Sequence, residues 1–490
     1  MTTDPAHFTA LLDKFPALRV LAVGDIYLDE NVFGAVTEVS LEAPIPVFEV
    51  HERRYNPGAA GNAACNVASL GGRVRMIGVV GADANARIVR QEFEKRGVDT
   101  SGIVEDPARQ TNTYGKLRAG GHNIPMQEVL RTDTPKPTLI SGAVEDQVVA
   151  NIWKFAPDAD AILIGDQVTS TITPKVLGAI VACAEKYNLK TVADSRKRAG
   201  MFHGIDVVVP NDAEAGFAAG VDVQDEATLL QAGQFLLQSA KNAFITRGPH
   251  GITIFAQDGS VETVGIPPIK AIDVTGAGDT VAAAVVLTLA AGGSLRDAAF
   301  LGNTAAGIAV VQEGVVTVSR AEVEEALAST GGPAKLKTLD QLKRIVAQRK
   351  AKGDRLVWTN GCFDLLHAGH ITYLMRAREQ GDALILGLNS DASVRALKGP
   401  ERPVVPEDER ALVMSALECV DYVTIFDDQT PLRLLEELEP NIYAKGGDYT
   451  LDSLVQEERH LVEGYGGEIA IIPGVDGQAT TRIIDKIRNT

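Results

Sequence analysis

Short runs of β-branched and aliphatic residues recur along the chain, each ending in Gly, Asp or Asn and each followed by residues at helical spacing. RVLAVGD (19–25), RVRMIGVVG (73–81), AILIGD (161–166), LKTVADS (189–195), VVVPN (207–211) and AFITRG (243–248) read as strands, and small-residue stretches such as NAACNVASLGG (62–72) as helices. This alternation predicts a parallel sheet covered by helices on both faces, with ligands at the carboxyl ends of its strands. Two segments break it. NVFGAVTEVSLEAPIPVFEV (31–50) and TNTYGKLRAGGHNIPMQEVLRT (111–132) have strand and hairpin character, and the pattern fits a separate lid and a pair of surface loops equally well.

The small, polar stretch LASTGGPAKLKT (327–338) separates the amphipathic SRAEVEEAL from a new helix in which Leu339, Leu342, Ile345 and Val346 share a face. Beyond it the alternation restarts with RLVWTNG, a helix over 368–380, and ALILGLNS. The expectation is two α/β domains, residues 1–330 and a smaller one over 338–490.

Composition supports packed cores: 45% of the 490 residues are hydrophobic and 23% charged. The longest apolar stretch, 281–291, falls short of the ~20 residues a membrane-spanning helix needs. The N-terminus lacks the pattern of a secretory signal, and the cysteines at 65, 183, 362 and 419 form no C-x-x-C pair, so a reduced cytoplasm is expected. Net charge is −17; residues 338–490 hold 18 Lys+Arg against 25 Asp+Glu, −7, which leaves −10 for the rest. Two acidic domains exclude a nucleic-acid backbone as partner and favour a small, metal-chelated nucleotide.

Candidate chemistry concentrates at two helix starts. In DVTGAGD (273–279) the glycines permit a tight turn. The N–H groups around Gly276, Ala277 and Gly278, with the helix dipole, can hold a phosphoryl group in transfer, and Asp279 beside them can take a proton from an attacking hydroxyl. The plainer alternative is a helix-initiating turn with Asp279 as its cap. In TNGCFDLLHAGHITYL (359–374), a strand and Gly turn lead to His367 and His370, three residues apart at a helix start and suited to one phosphate chain. Nothing adjacent lowers the Cys362 or Cys419 thiol, so both read as packing residues.

The 273–279 segment resembles the signature of the ribokinase-like (PfkB) carbohydrate kinases, whose other signature appears as PGAAGNAACNVASLGG (57–72). The resemblance implies a three-layer α/β/α fold with a β lid, Asp279 as catalytic base and the 276–279 backbone as anion hole. It further implies Asn211 and Glu214 of VVPNDAE as indirect, water-mediated ligands of Mg²⁺; Thr246, Gly248 and Gly251 near ATP; and Asn303 on the helix lining the adenine pocket. Asp29, Gly58, Asn62 and Arg131 would bind the sugar.

The 359–374 segment is similar to the cytidylyltransferase-like nucleotidyltransferases, as are 389–404, 407–423, 445–449 and 479–484. This implies a Rossmann-like α/β domain with Lys398 and Arg410 on phosphates. Asp364 would lie near the sugar phosphate or nucleotide, and Thr480 and Thr481 would start a helix over the nucleotide.

Both domains in this order resemble the bifunctional kinase and adenylyltransferase family of bacterial ADP-heptose synthesis. That implies ATP-dependent phosphorylation of heptose 7-phosphate at O1 and adenylyl transfer to heptose 1-phosphate, with a separate phosphatase acting between the steps. It also implies a cytoplasmic homodimer joined through the kinase domains. Departures from the family pattern are Pro57-Gly58-Ala59 for Pro-Gly-Gly, Asp194-Ser195-Arg196-Lys197 for Asp-Pro-Lys-Gly, Ala479-Thr480-Thr481 for Ser-Thr-Thr, and the lid stretch around Arg131 and Asp133. They leave open a different sugar phosphate, or a nucleotide-binding scaffold without turnover.

Overall fold

The computed structural model describes residues 5–473, apart from 122–123, 136, 168–169, 267–268, 270, 313, 329–334, 352 and 447–452. The chain divides into two compact units, 4–326 and 327–490.

Among its described residues the N-terminal unit is built on a nine-stranded sheet. From one edge to the other the strands begin at Val261, Ile252, Asn242, Val207, Lys190, Ala161, Arg19, Arg73 and Val98. All neighbours pair in parallel except the strands at 252 and 261, which run antiparallel at one edge. Strand Ala161–Asp166 is buried at all six positions because helices cover both faces, which explains its unbroken apolar run. The chain order reverses between Arg19–Gly24 and Ala161–Asp166, opening the crevice where α/β sheets bind ligands. The start of helix Ala60–Ser69 passes directly over that crevice: a Cβ on Gly165 would lie 2.5 Å from the Ala60 Cβ. Helix Ala277–Ala290 is buried at every position from Thr280 to Leu289, so its apolar character on all sides marks a central helix.

The two segments that break the alternation form one sheet, so the lid reading holds over the loops. Ile26–Val39 pairs antiparallel with Pro46–Ala59 and parallel with Asn112–Gly121, which turns back along Ile124–Asp133. Their alternation is hard to read because the outer half is exposed and still carries Val36, Val39, Leu41, Ile45, Val129 and Leu130.

Among the described residues the C-terminal unit holds a five-stranded, all-parallel sheet whose strands begin, edge to edge, at Tyr422, Ala383, Leu356, Ile442 and Glu468. Ala383–Asn389 is buried throughout. Separate apolar clusters lie around Leu384, Leu386 and Met414 and around Trp358, Ile385 and Tyr443, on alternate residues of the same strands. The last residues of the expected linker belong to this unit: Val423 N–H donates to the Lys335 carbonyl and Lys337 N–H to the Val423 carbonyl, at 2.7 and 2.8 Å. The order reverses between Leu356–Gly361 and Ile442–Gly446, again at the carboxyl end.

Candidate active sites

In the N-terminal unit Gly276 is the residue before helix Ala277–Ala290, with φ 82°. A Cβ there would both strain the backbone and come within 2.8 Å of Asn62 Nδ2, so glycine is required twice over. No side chain caps this start, and of its first-turn amides that of Ala277 already donates to the Val274 carbonyl at 3.3 Å. Asp279, in that turn, accepts a 2.7 Å hydrogen bond from Asn62 Nδ2. Burial pushes its carboxyl up to about 7, against the opposing pull of Asn62 and Arg196, while Asp29 and Glu214 add to the rise.

Asp29 is buried on the lid strand, and the Cβ that Gly58 lacks would lie 3.0 Å from its Oδ2. Burial raises the Asp29 carboxyl; Lys116, Arg131 and Arg196 moderate the rise. The fold thus brings Asp29, Gly58, Asn62, Gly276 and Asp279 together from four segments. Arg131 remains at the rim, exposed, donating to Asp133 Oδ1 at 2.7 Å and covering the Tyr114 ring.

Asn211 and Glu214 cap one helix reciprocally: Asn211 Oδ1 accepts from Glu214 N–H at 2.8 Å, and Glu214 Oε2 from Asn211 N–H at 2.9 Å. One carboxylate oxygen of Glu214 is left outside this pair, and burial raises its pKa. Among the described residues no group of three His, Cys, Asp or Glu side chains closes around a metal. Thr246 lies beside this cap, bridging Asn211 through the backbone. Gly251 has φ 81° and no room for a Cβ, which would meet the Val264 carbonyl at 2.1 Å; Gly248 has φ 51°. Asn303 is buried, and its Nδ2 donates to that same Val264 carbonyl at 2.7 Å, which ties it to the sheet edge.

Two residues of this site were named in the sequence only as departures. Asp194 is the penultimate residue of a central strand, accepts from Gln167 Nε2 at 2.7 Å, and is raised well above the carboxylate range by burial and then by Asp279 and Glu214. Arg196, exposed two residues on, is the cation that moderates Asp29, Asp194, Glu214 and Asp279 alike. The carboxyl end of a central parallel strand was the available signal.

In the C-terminal unit His367 precedes helix Ala368–Arg378, and its ring stacks on His370 with centroids 3.9 Å apart. Nδ1 of His367 is buried without a hydrogen-bond partner among the described residues. Burial, then His367 and Lys398, depress His370 to about 4, so its ring is neutral at pH 7. Lys398 is exposed at the end of its helix and within electrostatic reach of this pair.

Two expected contacts point elsewhere. Arg410 is buried, donating to the carbonyls of Val405, Cys362 and Asn389 at 2.9, 2.6 and 2.9 Å and to Asp391 Oδ1 at 2.7 Å. Its guanidinium braces the loop rather than facing an open phosphate site. Asp364 holds Arg402 and accepts from Val404 and Val405 N–H at 2.8 and 3.0 Å. Burial alone would raise this carboxyl, but the Val405 and Val404 amides and Arg402 outweigh it and the pKa falls. Thr480 and Thr481 lie outside the described residues.

A further group was given no role in the sequence reading, although Asn360 and Lys445 lie in segments it singled out. At the crevice between the two central strands, Tyr443 Oη donates to Glu458 Oε2 at 2.7 Å, and Lys445 Nζ lies 3.4 Å from both Asn360 Oδ1 and Glu458 Oε2. Only the fold reveals this network, because its members are scattered over 98 residues.

Among the described residues no helix is long and apolar enough to cross a membrane. Residues 19–322 match the model of the pfkB family carbohydrate kinases, and residues 358–483 the cytidylyltransferase-like model. The bifunctional protein HldE of Geobacter metallireducens is 42% identical over 475 residues, 96% of each chain, and that of Hyphomonas neptunium 38% identical over 484 residues, 98% of each. In three dimensions, phosphofructokinase-2 from Escherichia coli in complex with fructose-6-phosphate superposes with a TM-score of 0.53 at 19% identity, covering 64% of this chain and 99% of that one. That likeness speaks for the ribokinase-like fold of the first unit. With matches to both parts and relatives aligned over nearly its full length, the chain belongs to the pfkB carbohydrate kinases and, within them, to the bifunctional HldE proteins that join a sugar kinase to a nucleotidyltransferase.

Proposed function

We propose that the N-terminal unit transfers the ATP γ-phosphoryl group to O1 of D-glycero-D-manno-heptose 7-phosphate, and that the C-terminal unit joins AMP from ATP to heptose 1-phosphate. The observation that carries the first half is Asp279: a carboxylate raised toward neutrality, oriented by Asn62 and adjacent to an uncapped helix start. As O1 attacks the γ-phosphorus, Asp279 takes its proton and ADP leaves, while the first-turn amides hold the transferring oxygens. Asp29 and Asn62 orient the sugar.

Asp194, Glu214 and Asp279 repel one another in a small volume, an arrangement suited to a hydrated Mg²⁺ held through water beside Asn211 and Glu214. Bound there, the ion would supply charge neutralisation for the ATP phosphates.

In the C-terminal unit a phosphate oxygen of the sugar attacks the α-phosphorus and pyrophosphate leaves. His367, the neutral His370, the helix start and Lys398 stabilise the charge; Arg410 and Asp364 position the loop around them. A separate phosphatase must remove the 7-phosphate between the two reactions. ATP supply favours the cytoplasm. The exposed Val36, Val39, Leu41, Ile45, Val129 and Leu130 favour a homodimer joined through the lids.

The test is phosphorus NMR of the protein with Mg-ATP and heptose 7-phosphate, adding the phosphatase afterwards. Heptose 1,7-bisphosphate followed by ADP-heptose is the expected order. Absence of any sugar bisphosphate from folded, ATP-binding protein would overturn the substrate assignment.

A further inference from the structure

The loop that follows the strand bearing Asp194 is fastened by residues that the catalytic reading does not use. Strands Ala161–Asp166 and Lys190–Ser195 run parallel, with Gly165 paired to Asp194 and Asp166 to Ser195. Successive side chains leave a sheet on opposite faces. Asp194 therefore shares the face on which Gly165 meets helix Ala60–Ser69, and Ser195 lies with Asp166 on the other. There the buried Asp166 gathers the loop around itself. Ser195 Oγ donates to its Oδ2 at 2.7 Å, Arg198 Nε donates to the same oxygen at 2.9 Å, and Arg198 Nη2 pairs with Oδ1. Ser195 Oγ also accepts from Arg198 N–H at 3.1 Å, and Arg198 Nη2 donates to the Ile172 carbonyl at 2.9 Å.

Arg196 lies between these two anchored residues, and its own N–H donates to the Asp166 carbonyl at 3.3 Å. Its guanidinium is exposed and makes no hydrogen bond or ion pair among the described residues. It nevertheless opposes the rise in pKa of Asp29, Asp194, Glu214 and Asp279, carboxyl groups that come from four separate segments. Because Coulomb interaction falls with distance, one cation acts on all of them only from the space they surround, in front of the phosphoryl-transfer turn. A guanidinium presents a planar fork of donors that matches phosphoryl oxygens.

We propose that the Arg196 guanidinium contacts the phosphoryl group in transfer, and that Arg198, fixed on Asp166, is the positioning residue that holds Arg196 there. The inference rests on the kinase reading above and deepens it. In that step O1 of the sugar bonds to the γ-phosphorus, the bond from that phosphorus to the bridging oxygen of ADP breaks, and the O1 proton passes to Asp279. Arg196 exchanges no proton; it offsets the charge on the oxygens in transit. Arg198, anchored on the far face of the sheet, acts only through Arg196.

The test is a double-mutant cycle on kinase kcat and KM with Arg196→Met, Arg198→Met and the double variant. Arg196→Met is expected to lower kcat by about a hundredfold to a thousandfold, the effect of removing one preorganised donor, with each KM changed by less than about threefold. Arg198→Met should lower kcat in the same way, and the double variant should be within about threefold of Arg196→Met alone. Arg198→Lys, which keeps a cation on Asp166, should recover much of the loss. Guanidinium ion added to Arg196→Ala should restore part of kcat, which unfolding cannot mimic. Losses that multiply in the double variant would overturn the positioning role, because a purely structural Arg198 acts independently of Arg196. An unchanged kcat in Arg196→Met, or a loss carried by KM alone, would overturn contact with the group in transfer, as would an equal loss of kcat in Lys197→Ala, which removes another exposed cation of the loop. If the wild type rejects heptose 7-phosphate but phosphorylates another sugar phosphate, the heptose reading fails, and the same cycle on that substrate decides this proposal separately.

Discussion

Replacing Asn62 by leucine removes a hydrogen bond that favours the ionised form of Asp279 while keeping a side chain of similar size. A hydrogen bond to a charged group contributes about 1.5–3 kcal/mol. At 1.36 kcal/mol per unit, its loss raises the carboxyl by roughly 1–2 units. The wild-type base titrates near 7, where burial has brought it. A general base acts only when deprotonated, so kinase kcat/KM rises with pH through this pKa, and the variant's acid limb moves to higher pH. At pH 7.5 the ionised fraction then falls by roughly threefold to twenty-five-fold, and activity recovers as pH approaches 10. The assay is the pH profile of kinase kcat/KM at saturating ATP, with the adenylyltransferase profile of the same protein as control. Asn62 also faces the sugar, so a uniform loss at all pH values would mean that it acts through substrate contact. An acid limb unmoved in position would refute the coupling between Asn62 and Asp279.

Asp279→Ala should abolish only the kinase and His370→Ala only the adenylyltransferase, each by several powers of ten, and loss of both activities from either change in folded protein would contradict two independent sites. Ala59 holds φ 53°, ψ −133°, a conformation open to glycine and strained for alanine, so Ala59→Gly should stabilise the N-terminal unit by about 1 kcal/mol in denaturant unfolding; destabilisation would contradict the strain. Asp364 has a depressed folded-state pKa, so its contribution to stability is present above the unfolded value of about 3.9 and is lost as pH falls through the folded value. Asp364→Asn should therefore destabilise the C-terminal unit at pH 7 and flatten its acid unfolding below about pH 4, and an unaltered acid limb would count against that account.

The alternation of strands and helices and the two glycine-bearing helix starts were legible from residues alone, because each depends on neighbours a few positions apart; the two compact units part at 326/327, at the edge of the 327–338 stretch. A buried central strand must be apolar throughout, and a helix start that receives an anion needs small residues and unspent amides whatever the rest of the chain does. Tertiary structure decided the remainder. Asn62 meets Asp279 across 217 residues only because helix Ala60–Ser69 crosses the end of the sheet at the point where strand order reverses. Asp194 and Arg196, seen in the sequence as a departure from a pattern, gain their role from the carboxylates that neighbouring segments place around them. Arg410 reverses expectation, and Lys116 drew none, for the same reason. Both are cations in plausible surroundings, yet the fold encloses the first among backbone carbonyls and, through the register between Asn31 and Lys116, leaves the second lining a cavity. Local chemistry is set by which residues a chain contains; which charges are spent and which remain available follows from strand order and register, and these are properties of the packed sheet.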